Sequence, residues 1–221
     1  MDRSHPPRLR PLAALLLGLA LLTPNTGCLH QILATAVYLV HGNVIEAQCQ
    51  ALEGKRVVVI CRPPSSLEYR HGGADREVAR RVSQLLADNV PKIDVVEPRE
   101  VENWTDERDW DELSELAEAL DADTVVQIDL ETFELLKGQT LYQGKADTQI
   151  TVYDMEDNGR EVWQKYVGEV LFPANGGVPV AEKPLRQFRR QYVSLLSERL
   201  ARHFYKHDAH LDFASDSLAH Q

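Results

Sequence analysis

"LYQGKADTQITVYDMEDNGREVW", residues 141–163, decides the fold. Its apolar and small positions Tyr142, Ala146, Ile150 and Val152 alternate with Gln143, Lys145, Asp147, Gln149 and Thr151. Successive side chains of a strand point to opposite faces, so a period of two describes one face buried and one in water, the habit of an antiparallel sheet. Asp157-Asn158-Gly159 follows, and an Asn-Gly pair tolerates the positive dihedrals of a tight hairpin turn. The chain is therefore expected to fold back through "REVWQKYVGEVLF". Just upstream, "TVVQIDLETFELL" (residues 124–136) sets Thr124, Val126, Ile128 and Leu130 against Val125, Gln127, Asp129 and Glu131. Three meandering strands result.

Toward the N-terminus the pattern changes. "KRVVVIC" (residues 55–61) holds five apolar positions in a row between Gly54 and Pro63, the signature of a strand buried on both faces. "GGADREVARRVSQLLADNV" spaces Val78, Val82, Leu85 and Leu86 as an amphipathic helix, with Asp75 near its start. "IDVVEP" (residues 93–98) reads as a second short strand. "DWDELSELAEALDAD" then places Trp110, Leu113, Leu116, Ala117 and Leu120 on one helical face, with Asp109 and Glu112 spaced as a capping box. After a loop containing Gly176, Gly177 and Pro179, residues 184–205 put Leu185, Phe188, Tyr192, Leu196 and Leu200 on one side of a long helix. The expected fold is α+β (mixed α/β), in β-α-β-α-β-β-β-α order, with helices packed on a mixed sheet of about five strands. It occupies one domain, residues 55–206, followed by a polar tail, residues 207–221.

Residues 1–27 read as a targeting segment. Arg3, Arg8 and Arg10 precede the apolar core "LAALLLGLALL", which is too short to cross a bilayer, and Pro24 and small residues lead to Cys28. "PNTGC" has the form of a bacterial lipoprotein signal in which Cys28 is diacylated, although Asn25 stands where such signals carry an aliphatic residue. A plain leader or an uncleaved anchor remain alternatives. Residues 28–54 form an apolar segment and a polar linker. The apolar part, residues 32–40, is far below the ~20 residues of a membrane span, which leaves it on the membrane surface or packed on the domain. Removing the leader leaves about 190 residues, enough for one substantial core.

The chain carries a net charge of −10, and the basic leader makes the mature part more acidic still. No basic footprint for a nucleic-acid backbone is expected on that balance. In an oxidising envelope Cys49 and Cys61 form a candidate disulfide; the other reading is that Cys61 is simply buried at a strand end.

The stretches around Ala122-Asp123, Tyr142 to Asp154, Gly159 and Trp163 resemble a group of envelope lipoproteins and their relatives. That group includes the curli-secretion lipoprotein, the N-terminal domain of the Tol-Pal translocation protein B, and the lipoprotein activators of peptidoglycan synthases. The resemblance runs over residues 55–205. It implies a scaffold or assembly role in the envelope, with no catalytic residues to carry over. No segment matches the transmembrane hairpins of the curli type, so a pore is not implied. Asp123, Gly159 and Trp163 also have ordinary roles as a loop polar group, a turn glycine and a core or cross-strand aromatic.

Catalytic motifs are absent: there is no GxSxG, GxxxxGK[ST], HExxH or CxxC. "HGG" (residues 71–73) without a nucleophile elbow reads as a loop before a helix. The acidic run between Glu97 and Asp123 lacks the glycine turn and ligand spacing of a calcium loop and reads as a solvated face. At 100° per residue His203, His207 and His210 fall within about 60° of one another if the last helix persists, a candidate site for zinc or another divalent ion. The sequence thus leads to a non-catalytic envelope protein without a cofactor. It is held at a membrane by lipid on Cys28, faces the periplasm, and binds another envelope protein through its sheet edge or meander. A metal-dependent hydrolase using the histidines, or a carrier of a small ligand or lipid, are the alternatives. Leu29 and His30 after Cys28 do not choose between the inner and the outer membrane.

Overall fold

The computed structural model describes residues 44–63, 72–108 and 112–208. In chain order these form β1 (Val44–Ile45), β2 (Arg56–Arg62), α1 (Ala74–Asn89), β3 (Asp94–Val95), α2 (Pro98–Glu107) and α3 (Leu113–Ala119). The long strands β4 (Thr124–Lys137), β5 (Leu141–Asp154) and β6 (Arg160–Phe172) follow, then β7 (Val178–Pro179), α4 (Leu185–Ala201), a 3-10 turn at Arg202–Phe204 and β8 (His207–Asp208). Mixed α+β architecture is what the sequence led one to expect. The main sheet runs β3-β2-β4-β5-β6, with β7 added beside β5, and β1 and β8 pair separately. β2 is parallel to both β3 and β4, whereas every later pairing in the sheet is antiparallel.

Parallel strands need both faces covered, and here they are. Val57, Val59 and Cys61 of β2 belong to one core layer with Val78, Val82 and Leu86 of α1 and Phe188, Tyr192 and Leu196 of α4. Val58 and Ile60 belong to a second layer with Val101 and Trp104 of α2 and Leu116 of α3. The same covering corrects the reading of β4. Its residues from Thr124 to Ile128 are buried without alternation, and the period of two sets in only beyond Asp129. Buried Gln127 is satisfied by donating its amide to the Asp129 carboxylate at 2.8 and 2.9 Å. β5 keeps the expected alternation along its first half. The turn after it spans residues 155–159, and Asn158 and Gly159 both take positive φ, 53° and 71°.

Three other expectations are revised. The second strand is only two residues long, and Pro98, read as its end, instead opens α2 at a position where a missing N–H costs nothing. The next helix is limited to Leu113–Ala119, and Glu112 makes no side-chain cap; Asp109 and Trp110 lie outside the described residues. Residues before Lys55, assigned to a linker, reach into the domain. Leu52 and Cys49 are buried with the first core layer, and β1 pairs with β8, which takes His207 and Asp208 out of the tail. In α4, Phe188, Tyr192, Leu196 and Leu200 are fully buried as spaced, while Leu185 is exposed. Among the described residues no helix is long and apolar enough to cross a membrane.

Candidate functional site

β6 is the open side of the sheet. It pairs with β5 along Gly144 to Asp154, and among the described residues no strand pairs with its other edge. Trp163 and Val167 pack toward the core, Trp163 lying 5.4 Å from the Phe204 ring and 5.9 Å from the His203 ring. Val162 and Tyr166, on the opposite face, point outward and are 37% and 57% exposed. Neither α2 nor α3 contributes to a core layer over this part of the sheet, so among the described residues its second face is polar and uncovered. Cross-strand pairs order that face. The Tyr166 hydroxyl donates to Asp147 at 2.8 Å, which raises the phenol above its usual value, and Lys145 pairs with Glu169 at 2.8 Å. Register shifts and the positive φ of Gly168 interrupt the edge, a device that restrains indiscriminate strand addition.

Cys28 and His210 lie outside the described residues. Cys49 and Cys61 are both buried free thiols, and burial pushes both above the usual thiol range. The helical geometry behind the histidine set stops at Ala201, and Tyr205 is extended. The His203 carbonyl, which a continuing helix would use, accepts instead from the Gln48 and Cys49 N–H groups at 2.8 and 3.0 Å. His203 sits on Trp163 while His207 lies in β8, so the two do not share a helical face. Among the described residues no group of three or more His, Cys, Asp or Glu side chains is placed to hold a metal ion. Gly73 of the "HGG" stretch takes φ 82° at the start of α1, and Gly72 presents its carbonyl to Arg189, which is helix-entry geometry. Asp123 links strands: its carboxylate accepts the Arg56 N–H at 2.8 Å while its own N–H donates to the Arg56 carbonyl at 2.9 Å.

Among the concave regions beside the helices, one lies between α1 and α2 and another between α1 and α4. At the carboxyl end of β2, a pocket of about 210 Å³ lies between α1 and α2, where Arg76 pairs with Asp106 at 2.5 Å and Arg80 with Glu102 at 2.7 Å. A wider groove of about 590 Å³ runs between α1 and α4, lined by Arg80, Arg81, Arg186, Arg189 and Arg190, with Glu77 the one carboxylate among the described residues. Sequence reasoning passed over these arginines. They come as "ARR" and "RQFRR", some hundred residues apart, and only the packing of α1 on α4 makes them one group.

No family model matches the sequence, and no curated protein does. Among solved structures, the chain is similar to a single-residue variant of the PelC dodecamer from Paraburkholderia phytofirmans, at 15% identity and TM-score 0.45, over 72% of this chain and 93% of that one. It is similar to the lipoprotein GNA1162 from Neisseria meningitidis at 12% identity and TM-score 0.42, over 66% and 97%. It is also similar to protein XCC0632 from Xanthomonas campestris at 15% identity and TM-score 0.39, over 71% and 88%. Likeness at these values transfers no function to this chain.

Proposed function

We propose that this chain is an exported lipoprotein, held at a membrane by lipid on Cys28, whose domain binds another envelope protein and performs no catalysis. The observation that carries the reading is the β5–β6 surface. Thirteen residues of edge strand run alongside an uncovered sheet face that exposes Val162 and Tyr166. An edge supplies unpaired backbone donors and acceptors, and the alternate side chains beside it supply selectivity. The pairs Tyr166–Asp147 and Lys145–Glu169 hold that face in one arrangement before a partner arrives, which lowers the entropy lost on binding.

A photo-crosslinking residue placed at Gln164 tests this, with Asp88 on α1 as the control position. The expected result is a discrete adduct in the envelope from Gln164 and none from Asp88. It should disappear when Val162→Asp and Tyr166→Asp are added to a protein that still melts normally. An adduct that persists in the double variant would refute the use of this face. The anchor is tested separately by metabolic labelling with a fatty-acid analogue, which Cys28→Ala should abolish.

A further inference from the structure

The α1–α4 groove sets a concentration of positive charge on a chain that is acidic as a whole. α4 carries Arg186, Arg189, Arg190 and Arg199 against the single carboxylate of Glu198. Arg186 and Arg190 stand four residues apart on one helix, a like-charge spacing that costs a few tenths of a kcal/mol unless a counter-charge is present. Part of the cluster is satisfied internally. Arg189 makes a forked contact with Glu77 at 3.0 and 3.2 Å, and Arg80 reaches Glu102. The rest is not. Arg186 and Arg190 are exposed and have no hydrogen-bond or ion-pair partner among the described residues, while Arg81 donates to the Gln84 amide oxygen at 2.8 Å and leaves its buried Nε unpaired. Val193 and the arginine methylene stems give the groove an apolar floor beneath these cations.

Planar guanidinium groups with unspent donors, gathered around a shallow and partly apolar groove, suit phosphate oxygens. We propose that this groove binds the phosphate headgroups of anionic phospholipids, so that α1 and α4 form the side of the domain that rests on the bilayer. This rests on the Cys28 reading for its source of ligand. Val44 comes sixteen positions after Cys28, a reach of at most about 55 Å, which raises the concentration of headgroups around the domain. The overall negative charge does not prevent the contact. The α2 carboxylates nearest the groove, Glu102 and Asp106, are taken up by Arg80 and Arg76, and the apolar residues of α2 and α3 pack in the other core layer.

The test uses full-length protein carrying Cys28→Ser, so that binding does not depend on the anchor. Its partitioning is measured by co-sedimentation on phosphatidylcholine vesicles with and without phosphatidylglycerol. The leader contributes equally to parent and variants, so the anionic-to-neutral ratio isolates the groove. A basic residue near an anionic surface is worth about fivefold in partitioning, so Arg186→Gln with Arg190→Gln should lower the ratio about thirtyfold. Lysine at both positions should restore most of it, and Arg99→Gln on α2 should leave it unchanged. A ratio unaffected by the double variant overturns the proposal. Arginine-dependent binding of inorganic pyrophosphate, without any change on vesicles, also overturns it by assigning the groove to a soluble phosphate compound. If fatty-acid labelling at Cys28 fails while the vesicle ratio falls as stated, the anchor reading alone is lost.

Discussion

Gly144 to alanine is the substitution whose sign the packing decides. Gly144 is not among the glycines with positive φ, so its backbone accepts an L residue. With space available, alanine would stabilise by about 0.4–1 kcal/mol through the unfolded chain. There is no space: a Cβ at 144 would sit well inside the contact distance of the Tyr192 ring. Nor is that ring free to yield. Tyr192 is fully buried, stacks on Phe172 at 6.4 Å, touches Phe133 at 5.5 Å, and donates its hydroxyl to the Val170 carbonyl at 2.9 Å. Overpacking a pinned group costs about 1–3 kcal/mol, which exceeds the entropic gain and leaves a net loss of about 1–2 kcal/mol. For a domain of this size that lowers Tm by about 2–8 °C. The assay is urea unfolding of Gly144→Ala, Tyr192→Leu and the double variant. Tyr192→Leu alone removes ring contacts and the buried hydrogen bond, at about 2–4 kcal/mol. In the double variant the new methyl enters vacated space, so the two costs should fall short of additivity by about 1–2 kcal/mol. A neutral or stabilising Gly144→Ala, or strictly additive costs, would refute this reasoning.

Two further outcomes are expected. Asp123→Ala should cost about 1–3 kcal/mol in urea unfolding, because it strands the Arg56 N–H at the start of the parallel β2–β4 pairing, whereas Asp123→Asn keeps an acceptor and should cost less; equal costs would sink that account. Stability should fall in alkali. Burial raises the Cys61 and Cys49 thiols, so the folded state holds their protons more tightly than the unfolded chain does. That stability is intact below the ordinary thiol range and is lost as pH climbs above about 8.5, by at most about 1.4 kcal/mol per unit for each thiol. Tyr192 and Tyr205, also raised by burial, extend the fall to higher pH. Cys61→Ala should flatten the profile between pH 8 and 10, and an unchanged slope there would count against Cys61 as the source.

The antiparallel half of the sheet was legible because each residue of β5 votes on its own: Ala146 and Ile150 inward, Lys145 and Asp147 outward. β4 was misread because the burial of Thr124 and Gln127 is imposed by a second helix layer, which no local period reports. α2 was missed for a related reason. Only Val101 and Trp104 of its ten residues are buried, and Pro98 is equally good grammar for stopping a strand and for starting a helix. Leu52 and Cys49 enter the core from a segment without any periodicity. At the candidate site, the returning strand and Trp163 as a core or cross-strand aromatic were legible in the chain. That β6 is the outermost strand was not, since edge position is a property of the whole sheet.

The division of the sheet at β4 has a functional consequence. Its parallel part cannot leave a face in water, so α2 and α3 are structurally required over β2 and the start of β4. The antiparallel part carries no such requirement, and covering one face with α4 is sufficient. The uncovered face of β5 and β6 therefore lies opposite the α1–α4 layer that holds the arginine groove. With that groove against anionic headgroups, the open sheet face is turned away from the bilayer. Membrane contact and protein binding then use opposite sides of one sheet and do not compete. Neutralising Arg186 and Arg190 should accordingly leave crosslinking from Gln164 intact, since under the proposed function a lipid on Cys28 would still hold the domain at the membrane. Loss of that crosslink in a well-folded variant would mean that the groove, rather than β6, is where the partner binds.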